Sequence, residues 1–222
     1  MLGRRGDDWT DTLWNRVRER SGQEYVVPEP VEMRLSVLVT RICGWEALIA
    51  GARRHGIPAV IRRYYRILSE VGGLHGANID GTLDGVAQLS FGSLAARLDA
   101  GGAVRAAVRI LRDGSALGAG IKEIGDLAGT LGVCAGMATG ECLVGMFGGT
   151  GHASYTTIGD CGHRAIALSG AALAGELLLD EETAAEALKT APEIVAGASV
   201  RLTDERGRDV FALRTLPAPD DV

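Results

Sequence analysis

Four cysteines, a run of arginines, a glycine-rich loop and one histidine are the side chains of this 222-residue sequence whose types and spacing suit chemistry. Cys43, Cys134, Cys142 and Cys161 are scattered and contain no C-x-x-C pair. That spacing argues against a zinc site or a disulfide framework and for buried free thiols in a reducing, cytoplasmic setting. Arg53, Arg54, Arg62, Arg63 and Arg66 crowd one helical stretch. Such a cluster suits anions, but on a helix it reads first as a solvated face. Gly148-Gly149-Thr150-Gly151 offers backbone N–H groups that can cradle an anion, or is simply a flexible hairpin loop. His163 belongs to the residue type that titrates near neutral pH, so it is either a proton carrier or switch or a satisfied interfacial residue.

The elements that must position these groups follow from pattern. Residues 1–24 read as a helical leader with Trp9, Trp14 and Val17 on one face, followed by an extended Val26–Pro30 linker. Leu35-Ser36-Val37-Leu38-Val39 is an aliphatic run that predicts a central buried strand. Helices are predicted over 45–54 and 58–68, then strands over 74–80 and 85–91 about a turn at 81–84. An Ala- and Arg-rich segment over 94–112 has helical spacing, weakened in the middle by Gly101-Gly102, where a break is possible. Two strands, Val133–Met137 and Cys142–Met146, are split at Thr139-Gly140. The loop Phe147–Gly151 leads to a strand over 155–158. A helix over 161–174, a strand over 176–179, a helix over 181–189 and a hairpin at 199–202 and 210–213 complete the chain. The irregular alternation predicts an α+β class.

Composition narrows the function classes. Apolar residues at 46% and charged residues at 23% fit a globular domain rather than disorder. A net charge of -5 excludes a generally basic nucleic-acid-binding surface. No stretch reaches the roughly 20 apolar residues of a membrane span. Lysine occurs only at Lys122 and Lys189.

Tyr155-Thr156-Thr157-Ile158-Gly159-Asp160, then Ala165, then Ala174-Gly175-Glu176 through Thr183 form the most specific motif. Together with Met137–Gly145, and with Leu35–Gly44 followed by Trp45, they resemble in order the catalytic domain of class III adenylyl and guanylyl cyclases. The resemblance covers about 33–214, leaving 1–32 as leader and linker and 215–222 as a tail. It implies a ferredoxin-like nucleotide-cyclase fold, with a central, mainly antiparallel sheet flanked by helices.

The resemblance also implies a reaction and its residues. The family closes a nucleoside triphosphate into a cyclic monophosphate, using two metal ions held by two aspartates. Arg41 stands at the first aspartate position, and a guanidinium there opposes metal entry. Asp84 falls near the second, with Asp80 as a weaker alternative. The purine-selecting pair is broken: there is no lysine in 74–92, and Ser154 replaces an aspartate. His163 and Ala167 fall where the family has an asparagine and an arginine, while Arg164 lies three residues before Ala167. Arg41, Asp84, Ser154, His163 and Ala167 are thus vestigial site positions, and no catalytic residue, metal or cofactor is expected. The sequence accordingly predicts a pseudo-enzyme, not an enzyme: a dimeric, non-catalytic signalling, regulatory or scaffolding module. Its expected partners are a second copy, head to tail, or another protein, with no nucleic acid. Two alternatives stand beside it. One is a nucleotide or phosphate-ligand sensor with Arg41, Gly149 and Gly151 as contacts; the other is a residual adenylyl or guanylyl cyclase.

Overall fold

The aliphatic run forms the middle of a 13-residue strand, β1 (Val31–Cys43), in which Leu35 to Thr40 are buried. A strand covered on both faces tolerates polar side chains only where they are bonded. Ser36 Oγ meets Thr139 Oγ1 at 2.8 Å, and Thr40 Oγ1 meets the Tyr64 hydroxyl at 2.6 Å. Burial pushes the Tyr64 phenol up from its usual range. Tyr64→Phe leaves the Thr40 hydroxyl without this partner, and a loss of about 1–3 kcal/mol is expected in urea unfolding.

The computed structural model describes residues 29–51, 56–93, 98–149, 152–196, 199–203, 207 and 209–214. After β1 come α1 (Trp45–Gly51), α2 (Gly56–Leu74), β2 (Ala77–Leu83), β3 (Val86–Phe91) and α3 (Ala100–Gly114). A 3-10 segment, Lys122–Thr130, leads to β4 (Gly132–Gly149), β5 (His152–Ile158) and α4 (Asp160–Ala171). The order closes with β6 (Glu176–Asp180), α5 (Glu181–Thr190), α6 (Pro192–Val195), β7 (Ser199–Thr203) and β8 (Asp209–Arg214). One eight-stranded sheet runs β2-β3-β1-β4-β6-β8-β7, with β5 paired to β4. Only β4 and β6 run parallel among the described pairings. The α+β class and the mainly antiparallel sheet expected from sequence are therefore present.

Helices divide between the two faces of the sheet. Leu38, Ile42, Leu89, Met137 and Leu179 pack against α2, α3 and α5 in the main core. Leu35, Val37, Val39, Ala138 and Val144 pack on the other face against Cys161 and Ala165 of α4.

Several predicted boundaries are corrected. The two strands expected about Thr139-Gly140 are one strand, β4, because β1 pairs with it unbroken from Val31↔Val144 to Cys43↔Gly132. Thr139 does not turn the chain; its hydroxyl bonds Ser36 and, at 2.8 Å, Thr183. Strand β2 starts at Ala77 and continues to Leu83, which moves the hairpin turn to Asp84-Gly85. Of the helix expected over 94–112, α3 begins only at Ala100, which puts Gly101-Gly102 in its first turn: Asp99 caps it by accepting from Gly102 N at 2.9 Å, and Gly101 fits closely against Thr190 and Ala191. The predicted 161–174 helix ends at Ala171, and the loop expected over Phe147–Gly151 is strand as far as Gly149. The 3-10 segment and α6 carry no amphipathic pattern long enough to read. The leader, the tail, Arg53, Arg54 and Gly151 lie outside the described residues. Among the described residues, no helix is long and apolar enough to cross a membrane.

Candidate functional site: a cleft on the α4 face of the sheet

Side chains alternate along a strand, so Arg41 points to the same face as Val37 and Val39, the face on which α4 packs. Helix α4 covers β4 and part of β1 and leaves the β2–β3 hairpin side open. There a cleft of about 360 Å³ is lined by Val39, Asp80, Val86, Gln88, Thr156 and Ile166, among others. Arg41 is not itself a lining residue but adjoins the cleft, two residues from Val39 on the same face and paired in register with the cleft residue Val86 on one side and with Cys134 on the other.

The Arg41 guanidinium is half-buried, and its Nε is enclosed without a hydrogen-bond partner. Among the described residues, only Thr157 Oγ1 shares that condition. Close by, the Cys43 thiol is held below its usual range, first by the hydrogen bond with Cys134 and further by the Arg41 charge.

The carboxyl group in the cleft is Asp80. It is 7% exposed and accepts from Asn78 Nδ2 at 2.6 Å, Ser90 Oγ at 2.9 Å and Gln88 Nε2 at 3.2 Å. Burial pushes its pKa up, opposed by those three donors. A carboxyl raised in the folded state binds its proton more tightly there than in the unfolded chain. Its contribution to stability is therefore present below the ordinary carboxylate range and lost as pH rises through the raised value. Unfolding free energies measured across the acid range should show that downward step, and Asp80→Asn should remove it.

Asp84, ranked ahead of Asp80 from sequence, is exposed in the hairpin turn with φ 47, followed by Gly85 with φ 75. Two successive positive φ values suit an Asp-Gly turn. Gly85 is needed for space as well, since a Cβ there would lie 2.9 Å from the Trp45 ring. Ser154 is exposed opposite Phe147 on the β4–β5 hairpin, while Thr156, two residues on, lines the cleft. His163 and Ala167 are exposed on α4. Gly149 pairs with His152 at the hairpin end.

Arg164 is tied into the fold. It donates to Asp180 Oδ2 at 3.0 Å and to the Thr139 carbonyl at 2.6 Å, with Asp160 at 3.5 Å. The structure thus places Asp80 and Thr156 in the cleft lining and Arg41 beside the lining residue Val86, and leaves Ser154, His163 and Ala167 out of the lining. Gln88 and Thr156 escaped the sequence reading. The one signal for Gln88 is the period-two pattern of β3, which sets it opposite Val39.

Among the described residues no three His, Cys, Asp or Glu side chains gather to hold a metal, and the β1 side chain beside the cleft is the cationic Arg41. A larger cavity, about 780 Å³, lies away from this face between α3, α6 and β8. Its arginines are largely satisfied internally: Arg105 meets Glu193 at 3.2 Å, Arg109 meets Asp113 at 3.6 Å and Arg214 meets Glu176 at 3.3 Å. The Arg62, Arg63 and Arg66 part of the basic cluster lies on α2. There Arg63 donates to the carbonyls of Ala116, Leu117 and Ala119 and so ties α2 to the segment after α3.

No protein-family model and no curated protein matches the chain. Solved structures do. The chain is similar to the guanylyl cyclase Cya2, with a TM-score of 0.72 and 18% identity over 88% of this chain and 98% of that one. It is similar to the adenylyl cyclase CyaB from P. aeruginosa, with a TM-score of 0.70 and 23% identity over 88% of this chain and 100% of that one. It is also similar to the guanylate cyclase domain of RhGC from Catenaria anguillulae in complex with GTP, with a TM-score of 0.66 and 14% identity over 85% and 100%.

These matches correct the expectation that the chain is not an enzyme. The structures that share its architecture are cyclases by name, and one of them holds a nucleotide. Nor is the cleft collapsed or filled in this chain. The strand order, the β2–β3 hairpin and the placement of α4 together give this chain the fold of the class III adenylyl and guanylyl cyclase catalytic domain.

Proposed function

We propose that the cleft on the α4 face binds a nucleoside triphosphate, with its phosphates at Arg41 and its base toward Asp80 and Gln88. The observation that carries this reading is the Arg41 Nε, enclosed without a partner at the edge of an open cleft. An unpaired buried donor costs about 1–3 kcal/mol, and a phosphate oxygen relieves that cost with a charge-assisted bond. Calorimetry with ATP, GTP and the cyclic monophosphates, at low salt and without divalent metal, tests it. A triphosphate is expected to bind, and Arg41→Ala to weaken it about 10- to 100-fold. No heat with any nucleotide, or equal affinity in Arg41→Ala, removes the reading.

The names of the similar structures favour a second reading, in which the bound triphosphate is cyclised with loss of pyrophosphate. A guanidinium fixed beside the phosphates would supply part of the charge stabilisation that this reaction needs. Cyclic AMP or cyclic GMP formed from ATP or GTP, with manganese added, is the readout. Activity should fall at least tenfold in Arg41→Ala, and an absence of product under all conditions would leave binding alone. Two copies facing each other across the open side of the sheet would cover Leu83 and Ile166, 72% and 45% exposed on the cleft wall. Sedimentation showing only monomer at high micromolar concentration would count against that pairing. The reading as a non-catalytic regulatory or scaffolding module gains no support from the solved structures.

A further inference from the structure

We propose that Cys142 and Cys161 form a reversible intramolecular disulfide that staples α4 to β4. Cys142 lies on β4 and Cys161 is the second residue of α4; both are buried, and their sulfurs are 2.6 Å apart. A disulfide bond is about 2.05 Å long, so roughly half an ångström of closure joins them. The packing that holds them there uses absent side chains: a Cβ on Gly159 would lie 2.7 Å from Cys142 Sγ, and one on Gly140 would lie 3.4 Å from Cys161 Cβ.

The two thiols are unequal. Cys161 is held below the usual thiol range by its hydrogen bond with Cys142 and then by the Arg164 guanidinium, while Cys142 is pushed up by the same pairing and by burial. Cys161 is therefore the attacking thiolate. It also sits in the first turn of α4, whose N-cap, Gly159, has no side chain to bond the helix end. Helix ends open before the rest of a fold, and that opening exposes the sulfur.

The second cysteine pair fails on register. Cys43 pairs with Gly132, and Cys134 pairs with Arg41, so the two are diagonal neighbours. Diagonal residues are about 7–8 Å apart, beyond the roughly 4.4–6.8 Å between Cα atoms that a disulfide spans.

A small dialkyl disulfide such as oxidised glutathione supplies the oxidant. The Cys161 thiolate attacks one of its sulfurs and expels one glutathione thiolate, which takes up a proton. Cys142 then loses its proton to solvent and attacks the Cys161 sulfur of the mixed disulfide, expelling the second glutathione. Two protein thiols are oxidised by two electrons in all, and one disulfide is reduced to two thiols.

The test uses the full chain, incubated with oxidised glutathione, alkylated under denaturing conditions and mapped by mass spectrometry. The expected product is lighter by two hydrogens and yields a peptide linking Cys142 to Cys161. Its melting midpoint should rise by roughly 6–12 °C, because the closed loop limits the unfolded chain, and dithiothreitol should reverse the rise. Cys43→Ser should form the same link, and Cys161→Ala should not. Four alkylated cysteines after oxidation, a link between another pair, or a stable glutathione adduct would overturn the proposal. The map of the unsubstituted chain decides even where a variant fails to fold.

Discussion

Gly136→Val is expected to destabilise the domain by about 4 kcal/mol or more and to lower its melting midpoint by roughly 10–15 °C. Gly136 lies on β4 where α4 crosses it. A Cβ there would collide with the Ser169 backbone nitrogen, and would come within 2.5 Å of the Ala165 carbonyl oxygen and 2.6 Å of Leu168 Cβ. Two of those obstacles are backbone, so no rotamer change clears them. The helix itself must lift off the sheet, and Val39, Ala138 and Ala165 lose their packing with it. Calorimetric melting of the variant measures the effect, and a midpoint within about 2 °C of the parent would show that α4 does not sit this close.

Arg164→Ala is expected to cost about 3–5 kcal/mol, the loss typical of removing one partner from a buried pair. Arg164 and Asp180 are 17% and 12% exposed, so solvent screens them little. Asp180 also caps α5, accepting from Thr183 N at 2.9 Å, and its side chain bonds the Thr183 hydroxyl. Removing the guanidinium strands a carboxylate at the junction of α4, β4 and β6, and frees the Thr139 carbonyl as well. A double-mutant cycle with Asp180→Asn should show coupling of about 1–3 kcal/mol. Arg164→Lys should recover less than half of the loss, since one ammonium cannot reproduce a fork that reaches two acceptors at once. Additive single-mutant effects would show that the two groups do not act together.

The site's frame was legible because its elements carry strong local patterns. The Leu35–Val39 run is aliphatic but for Ser36, and the Tyr155–Asp160 stretch ends a strand and opens a helix as its motif implies. What escaped depends on contacts across the sheet. Nothing local to Thr139-Gly140 says that β1 will pair straight past it. The choice between Asp80 and Asp84 turns on where the hairpin bends: the bend at Asp84-Gly85 puts Asp84 in an exposed turn and keeps Asp80 buried within β2. Gln88 and Thr156 are polar residues in strands, unremarkable until the fold brings β3 and β5 to the same cleft. The expectation of a chain without enzymatic activity treated each replaced position as a loss. The sensor alternative, by contrast, kept Arg41 as a ligand contact in a surviving cleft, and the guanidinium whose Nε lacks a partner agrees with that better.

The most direct test of that cleft is a crystal structure of the chain with a non-hydrolysable nucleoside triphosphate, grown without divalent metal. Phosphate oxygens within hydrogen-bond distance of the Arg41 guanidinium, and a base against Asp80 and Gln88, are the predicted result. A nucleotide lodged among Arg105, Arg109 and Arg112 on α3, or none bound while Arg41 Nε still lacks a partner, would contradict it.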